Sequence, residues 1–566
     1  MLKSSQVVVL GIHDGHNAGA CLLRDGKILA AISEERLRNI KNYSAAPTLA
    51  IRKVFEISNH SPQDVTIVAI ASRLRLDDPV RMEGNLTHSL AEQLSPWLHG
   101  KWFVHTSVPL LHVFRKTEET YQILEQLGIR RKPIRFIEHH QAHAACAYYP
   151  RPWNDKTLVL TLDGMGDGVS ATVNIGQRHR IRRIAETSFY DSLGNNLFSE
   201  ITAFLGMKRW EHEYKVMGLA PYGRAEPVIE DLRKLIRLNP ERPLEFENTS
   251  GHYLKRMQEV YRRILVGRRF DNIAAAAQQL FEELVVAWIK QAIRETKIHK
   301  LACSGGSFLN VKTNKLIREL PEVEEVFFYP AAEDGGSPVG AALEAYYRYC
   351  EANNLTAKRT VLTDLYYGQE FSDDYLLDFL KSRKLYKKAK QVSPKDIAKR
   401  LADGKIIARF SGRDEWGPRA LGNRSIMADP RNMSVIRKIN FAIKQRDFWM
   451  PFAPSVLEEY QAGYFKNSRF APYMIEAFDS KKEAQNLIAA LHPHDLSGRP
   501  QSVNAWNPGW HTIIREFARL TGVGAILNTS FNLHGYPISG TPEVAYWTFR
   551  HSLLDGLLLN NWLIER

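Results

Sequence analysis

Two stretches about 150 residues apart follow one plan, and that repetition limits the possible folds more than any single motif does. The first is an apolar, largely β-branched run at residues 7–12, then the loop HDGHNAG and the run ACLL. A turn at Arg24-Asp25-Gly26 and a returning run ILAAI complete it. The second has a strand-like run at residues 158–162, the loop DGMGDG, the run SATVNI, a GQ turn and the returning run IRRIAE. Alternating apolar runs joined by Asp-Gly turns predict β-hairpins. Two copies of strand, glycine loop and hairpin predict a duplicated α/β unit, whose paired loops could hold phosphates from both sides.

Between the copies, residues 47–57 carry helical periodicity and residues 65–70 predict a strand. The tryptophan-bearing stretch 74–128 reads as an insertion, the kind of segment in which substrate specificity resides. Just before the second copy stands HHQAHAACAYYP, residues 139–150. If this run is helical, His139 and His143 leave the same face one turn apart, a spacing suited to two ligands on one metal ion. Asp163 in LTLDGMGDG and Asp334 in PAAEDGGSPVGAA are the nearest carboxylates to complete such a site. Two imidazoles with one or two carboxylates suit Fe(II), Mn(II) or Zn(II). The competing expectation is a helix cap and a solvated histidine face.

At 566 residues, with 44% hydrophobic and 24% charged residues, the chain has enough material for two or three domains with real cores. Apolar runs stay short of the ~18 residues that span a bilayer, and the first residues lack the build of a signal peptide, so a cytoplasmic enzyme is expected. The four cysteines, Cys21, Cys146, Cys303 and Cys350, are far apart and form no CxxC pair, so they read as small buried hydrophobes. The net charge of +14 gathers in short clusters at residues 130–135, 178–183 and 262–269. These lack interleaved aromatics, which favours anionic small substrates or solubility over nucleic acid.

Further on, Asp271 is placed to cap a long apolar helix, and KLACSGG leads through a glycine loop into the helix SFLNVKTNKLI. A second strand, VEEVFF, delivers Asp334 and a turn that opens another helix, with Pro338 in its first turn. A polar, turn-rich break at residues 353–368 gives the expected organisation: a domain at 1–355, a linker at 356–390 and a domain at 391–566. Residues 409–431, RFSGRDEWGPRALGNRSIMADPR, hold five arginines, two prolines and three glycines. Such a loop is expensive to order unless a ligand orders it. IKQRDFWMPFAPS puts Lys444 and Arg446 on one side of an expected strand, and AILNTSFNLHGYP presents Asn528 and Ser530 in the same way. Cations and small polar donors that converge describe a pocket for phosphate or carboxylate-like groups; a surface salt-bridge lattice is the alternative.

HNAGACLLRDG, EERLRNIKN, HHQAHAACAYY, LDGMGD, KVMGLAPYG, SGGSFLN, EDGGSPVGAA, EWGPRALGNRSIMADPR and LNTSFN follow one another along the chain. In this order they resemble the O-carbamoyltransferases, the family of the nodulation-factor, cephem and tobramycin enzymes. The resemblance implies an actin-like duplicated N-terminal domain, similar to the tRNA threonylcarbamoyl transferase, and a smaller YrdC-like α/β domain after it. It implies that the small domain forms carbamoyl-adenylate from ATP, with Mg(II), and carbamoyl phosphate. The large domain would then pass the carbamoyl group to a hydroxyl of a small natural-product or sugar acceptor. Carried across by residue, His139, His143, Asp163 and Asp334 would hold Fe(II), and Asn310 would touch a nucleotide. His16 and Lys41 would face acceptor and donor, with His16 either taking the hydroxyl proton or only positioning the acceptor. Arg419, Lys444, Arg446, Arg499, Asn528 and Ser530 would bind ATP and carbamoyl phosphate. No membrane or nucleic acid is expected as partner, and a homodimer is left open. The alternatives are a tRNA-modifying transferase and a hydrogenase-maturation type, whose CxxC motifs and opposite domain order are missing here.

Overall fold

A computed structural model describes residues 6–73 and 118–566. Most of the expected insertion 74–128 therefore lies outside the described residues; its last part forms the helix Glu118–Gln126. The chain divides into two compact units. One comprises Met1–Glu34 and Tyr43–Leu362, the other Glu35–Asn42 and Thr363–Arg566.

The first unit contains the strands β1 (Val8–His13), β2 (Gly19–Arg24), β3 (Lys27–Ser33), β4 (Ile67–Ala71) and β5 (Ile134–Ile137). These are followed by β6 (Thr157–Gly166), β7 (Val169–Gln177), β8 (Arg180–Ser188), the short pair β9 (Ile236–Leu238) and β10 (Phe246–Asn248), β11 (Lys300–Ser304) and β12 (Glu325–Phe328). One five-stranded sheet runs β3-β2-β1-β4-β5, the other β8-β7-β6-β11-β12. In each, an antiparallel three-strand meander is extended by two parallel strands. The repeat expected from the hairpins is thus present as two sheets of equal strand order and direction.

Between the sheets' strands, two helices bring backbone to backbone. Helix His139–Tyr148 and helix Ser337–Ala352 meet at Gly340, where a Cβ would lie 1.9 Å from the Ala142 carbonyl oxygen. The second helix also presses on β1: a Cβ on Gly11 would lie 2.1 Å from the Pro338 carbonyl oxygen. Glycine at these two positions lets the first turns of the two helices and strand β1 share a small volume. The long helix Phe270–Thr296 forms as expected, but Asp271 lies inside its first turn; its carboxylate accepts from Arg269 at 2.6 Å and does not serve as the cap.

The second unit is an eight-stranded mixed sheet. Its strands are β13 (Ala389–Gln391), β14 (Ile407–Phe410), β15 (Arg424–Ala428), β16 (Ala453–Leu457), β17 (Gln501–Val503), β18 (Ala525–Ser530), β19 (Gly556–Leu559) and β20 (Trp562–Glu565). They are ordered β13-β20-β19-β14-β15-β18-β16-β17. Successive residues of the central strands point to opposite cores. Ile407, Met427 and Ile526 pack with Ile397, Trp510 and Phe517 of the helices Pro394–Ala402 and Pro508–Thr521. Ala408, Ile426 and Leu527 pack with Leu380 and Phe549 of the helices Asp373–Ser382 and Pro542–Arg550. Cover on both faces explains strands that are apolar without alternation.

Besides the Asp271 cap, further expectations change. Residues 356–390, read as a linker, are divided between the units: Arg359 donates to the Tyr149 and Trp153 carbonyls of the first unit, whereas helix Asp373–Ser382 is core of the second. Lys444 and Arg446 are not on a strand; Asn440–Lys444 is a π-helical turn, and Gln445 at φ 42° reverses the chain after it. The arginine-rich loop is held by side chains of the protein itself, as described below.

Candidate metal centre and anion pocket

Helix His139–Tyr148 begins at a sharply defined point because two carboxylates cap it. Glu138 accepts from the amides of His140 and Gln141 at 3.0 and 2.8 Å, and Asp167 accepts from that of His139 at 2.7 Å. Negative charge at a helix N-terminus is favourable, so the first turn, with its histidines, is fixed in position. His139 and His143 then stack their Nε2 atoms 3.0 Å apart. Asp163 comes from the end of β6, where the Gly306 amide donates to its Oδ1 at 2.9 Å. Asp334 opens the turn ahead of helix Ser337–Ala352. Its Oδ1 lies 3.4 Å from both imidazole Nε2 atoms, and Asp163 Oδ2 lies 3.3 Å from that of His139.

One donor atom from each of the four residues falls within 4.8 Å of the others. Bonds of about 2.0–2.2 Å to a common ion place neighbouring donors about 3–3.5 Å apart; four of the donor pairs have that spacing, and His143 Nε2 and Asp163 Oδ2 are 3.9 Å apart. Asp334 Oδ1 is buried without a hydrogen bond, as a metal ligand would be. The residues fit a divalent cation. Burial works against charge on His139, but Asp334, Asp163 and Asp167 outweigh it and push its pKa up to about 10. Asp334 is held far below the carboxylate range, since His139, His13 and His143 overcome its burial. The outward nitrogens are also engaged: Ser72 Oγ lies 3.2 Å from His139 Nδ1, and Ser304 Oγ lies 3.4 Å from His143 Nδ1. Such partners orient imidazole ligands. His140 faces away, between the Thr161 hydroxyl and the Val169 carbonyl, and burial pushes its pKa down to about 3.

His16, expected to face the acceptor, belongs to the first unit, and Lys41, expected to face the donor, to the second. The histidine beside the cluster is His13, which the sequence reading passed over. It is buried, its ring centroid lies 6.4 Å from that of His139, and its Nε2 lies 3.0 Å from the His16 carbonyl oxygen. Burial above all pushes its pKa down to about 4. Its place at the end of β1, directly before the glycine loop, was the available signal. Asn310 is engaged within the protein: it caps helix Val311–Arg318 through the Thr313 amide and pairs its side-chain amide with that of Gln278.

In the second unit, Lys444 is buried and its ammonium donates to Ser530 Oγ at 3.0 Å and Asn532 Oδ1 at 2.7 Å. Burial, then the charges of Arg446 and Lys41, lower its pKa well below the ordinary lysine value. Burial, Arg419 and Arg446 act likewise on Arg499. The five groups form a concentration of positive charge, and the charges that act on Lys444 and Arg499 are cations. Asn528 and Ser530 share one face of β18, as the period-two reading expects. The Asn528 amide donates to the Ala420 carbonyl at 3.0 Å, beside Arg419.

Residues 8–343 match the family described as "Carbamoyltransferase N-terminus", and residues 398–566 match "Carbamoyltransferase C-terminus". The chain belongs to the carbamoyltransferase family. Among its relatives in that family, the nodulation protein NolNO of Sinorhizobium fredii is 31% identical over 97% of this chain and 79% of its own length. The 3'-hydroxymethylcephem-O-carbamoyltransferase of Amycolatopsis lactamdurans is 28% identical over 71% of this chain and 76% of its own. Among solved structures, full-length HypF in its phosphate- and nucleotide-bound form aligns with 62% of this carbamoyltransferase and 47% of its own chain. That match has 15% identity and a TM-score of 0.36, too slight a likeness to assign a fold. The four residues that could hold a metal ion lie in the N-terminal family region and the cation cluster, apart from Lys41, in the C-terminal one.

Proposed function

We propose that the protein is an ATP-dependent O-carbamoyltransferase acting on a hydroxyl of a small molecule. The observation that carries this is the presence of both family regions in one chain, with a relative named for O-carbamoylation of a hydroxymethyl cephem. In this reading the second unit, with a YrdC-like role, converts carbamoyl phosphate and ATP into carbamoyl-adenylate. One water is consumed, and phosphate and pyrophosphate are released. The first unit, actin-like in its duplicated sheets, then joins the carbamoyl carbon to the acceptor oxygen with AMP leaving.

The residue roles follow from the chemistry. Phosphoryl chemistry needs charge neutralisation and alignment more than acids or bases. Arg419, Lys444, Arg446 and Arg499 would balance the phosphates, with Lys41 beside them, while Asn528 and Ser530 would fix their geometry. In the first unit His139, His143, Asp163 and Asp334 would hold a divalent cation, Fe(II) in the family resemblance. When bound, it would polarise the carbamoyl carbonyl and steady the departing phosphate. His13 and His16, at the glycine loop, would position the acceptor hydroxyl or take its proton. Asn310 would border the nucleotide in that unit.

The experiment is an incubation of the full chain with ATP, carbamoyl phosphate and a panel of sugar, aminoglycoside and cephem alcohols. Product is read by mass spectrometry and AMP by chromatography. We expect a carbamoylated alcohol and AMP in equal amounts. AMP formation that stays independent of carbamoyl phosphate would sink the proposal.

A further inference from the structure

The motif EERLRNIKN is taken up neither by the metal cluster nor, apart from Lys41, by the cation cluster. It nonetheless crosses into the second unit: residues Glu35–Asn42 are part of that unit, although the strand before them belongs to the first. Arg36 is its anchor. The side chain is 3% exposed, and its guanidinium pairs with Asp414, whose side chain is 2% exposed. It also donates to the Glu415 carbonyl and, at 2.7 Å, to the Gly417 carbonyl. The segment fits without clearance on its other side, where a Cβ on Gly540 would lie 2.5 Å from the Arg36 carbonyl oxygen.

These contacts fall at one end of the stretch that carries Arg419. Gly417 has φ +98° and Gly422 φ +116°, so the chain bends at both and presents residues 418–421 as a short arch. Arg409 holds the far end through the Gly422 carbonyl at 2.6 Å. The middle is held by amide donors from Asn528 to Ala420 and from Gln501 to Leu421. Glu415 Oε1 accepts from the amides of Leu421, Asn423 and Arg424. At the near end the Gly417 carbonyl is held by Arg36, a residue some 380 positions away in sequence.

We infer that Arg36 is a positioning residue of the anion pocket: it fixes the near end of the arch so that the Arg419 guanidinium meets the phosphate beside Lys444, Arg446 and Arg499. This rests on the pocket assigned under the proposed function. A planar guanidinium reaches a carboxylate and two carbonyls at once, which a lysine ammonium on a flexible stem does not reproduce. Arg36 touches no reacting atom; it acts through the backbone of residues 414–417.

The test uses full-length chains with Arg36→Lys, with Arg36→Met paired with Asp414→Asn so that no buried charge is stranded, and with Arg499→Met as a control. Binding of inorganic pyrophosphate is followed by calorimetry, and Tm and bound metal are recorded alongside. We expect Arg499→Met and both Arg36 variants to bind pyrophosphate about tenfold or more weakly, as misplacement of a charged group does, with metal content unchanged. In turnover, KM for carbamoyl phosphate should rise more than kcat falls. Folded Arg36 variants with a lower Tm but wild-type pyrophosphate affinity, beside a weakened Arg499→Met, overturn the assignment. Should the double variant not fold, Arg36→Lys decides alone. Wild-type affinity in all three, Arg499→Met included, overturns the pocket itself and the assignment with it.

Discussion

His139 and His143 owe their value as a pair to the groups on their outward nitrogens as much as to their spacing. Ser72 and Ser304 each stand against an Nδ1, which leaves both Nε2 atoms to face Asp163 and Asp334. Removing such a partner costs about ten- to a hundredfold in metal affinity, so Ser304→Ala should weaken binding by that factor in a chelator competition, and Asp334→Asn by more. Equal affinity in Asp334→Asn and the wild type would rule out the four-ligand centre. The histidine pair was legible because both residues lie on one helix and a spacing of four is a property of helices. Asp163 and Asp334 were legible because each stands beside glycines, Asp163 late in β6 and Asp334 in the turn that follows β12. Ser72 and Ser304 were not: each sits at the end of an apolar run, and only the pairing of distant strands brings them to the cluster. Lys444 and Arg446 were misread because period-two alternation says nothing about a π-helical turn followed by a left-handed residue.

Among the elements, the duplicated meanders were the most legible part of the fold, since local turn chemistry specifies a hairpin. The parallel strands β4, β5, β11 and β12 complete the repeat through long connections whose lengths carry no register information. The arch at residues 417–422 shows the opposite case, an irregular segment built by side-chain caps from remote places. Asp555 is a further such cap, at the edge of β14. It accepts from the Ile406 amide and from Lys438, both at 2.8 Å. Burial would raise its pKa, but Lys438, that amide and Lys405 together hold it below the usual value. Because the folded pKa is depressed, this stabilisation is present above the unfolded value of about 3.9 and lost as pH falls through the folded one. Asp555→Asn should therefore lower Tm at pH 7, and the difference from the wild type should shrink on acidification below about pH 3.9. A gap that widens in acid would contradict it.

At the scale of the molecule, the net charge of +14 is unchanged by pairing, but two of the three basic clusters are partly neutralised where they stand. Arg183 pairs with Glu138 and Glu186, Arg268 with Asp231 and Arg269 with Asp271. Basic clusters bound into ion pairs make weak footprints for a phosphate backbone. The division of the chain into units is also not where a linear reading puts it, because Glu35–Asn42 belongs with Thr363–Arg566. A fragment spanning residues 363–566 would bury Asp414 without Arg36. It should melt at a lower temperature than the same fragment supplied with a peptide of residues 33–45. An unchanged Tm on adding the peptide would show that the segment is dispensable to the unit.

The same segment has a consequence in time. Arg36 leaves the ribosome 378 residues before Asp414 does, and at about 5–20 residues per second that is an interval of roughly 20–80 s. Throughout it the guanidinium is without the Asp414 carboxylate and the Glu415 and Gly417 carbonyls, so the second unit closes its core around an arginine made well before its partners.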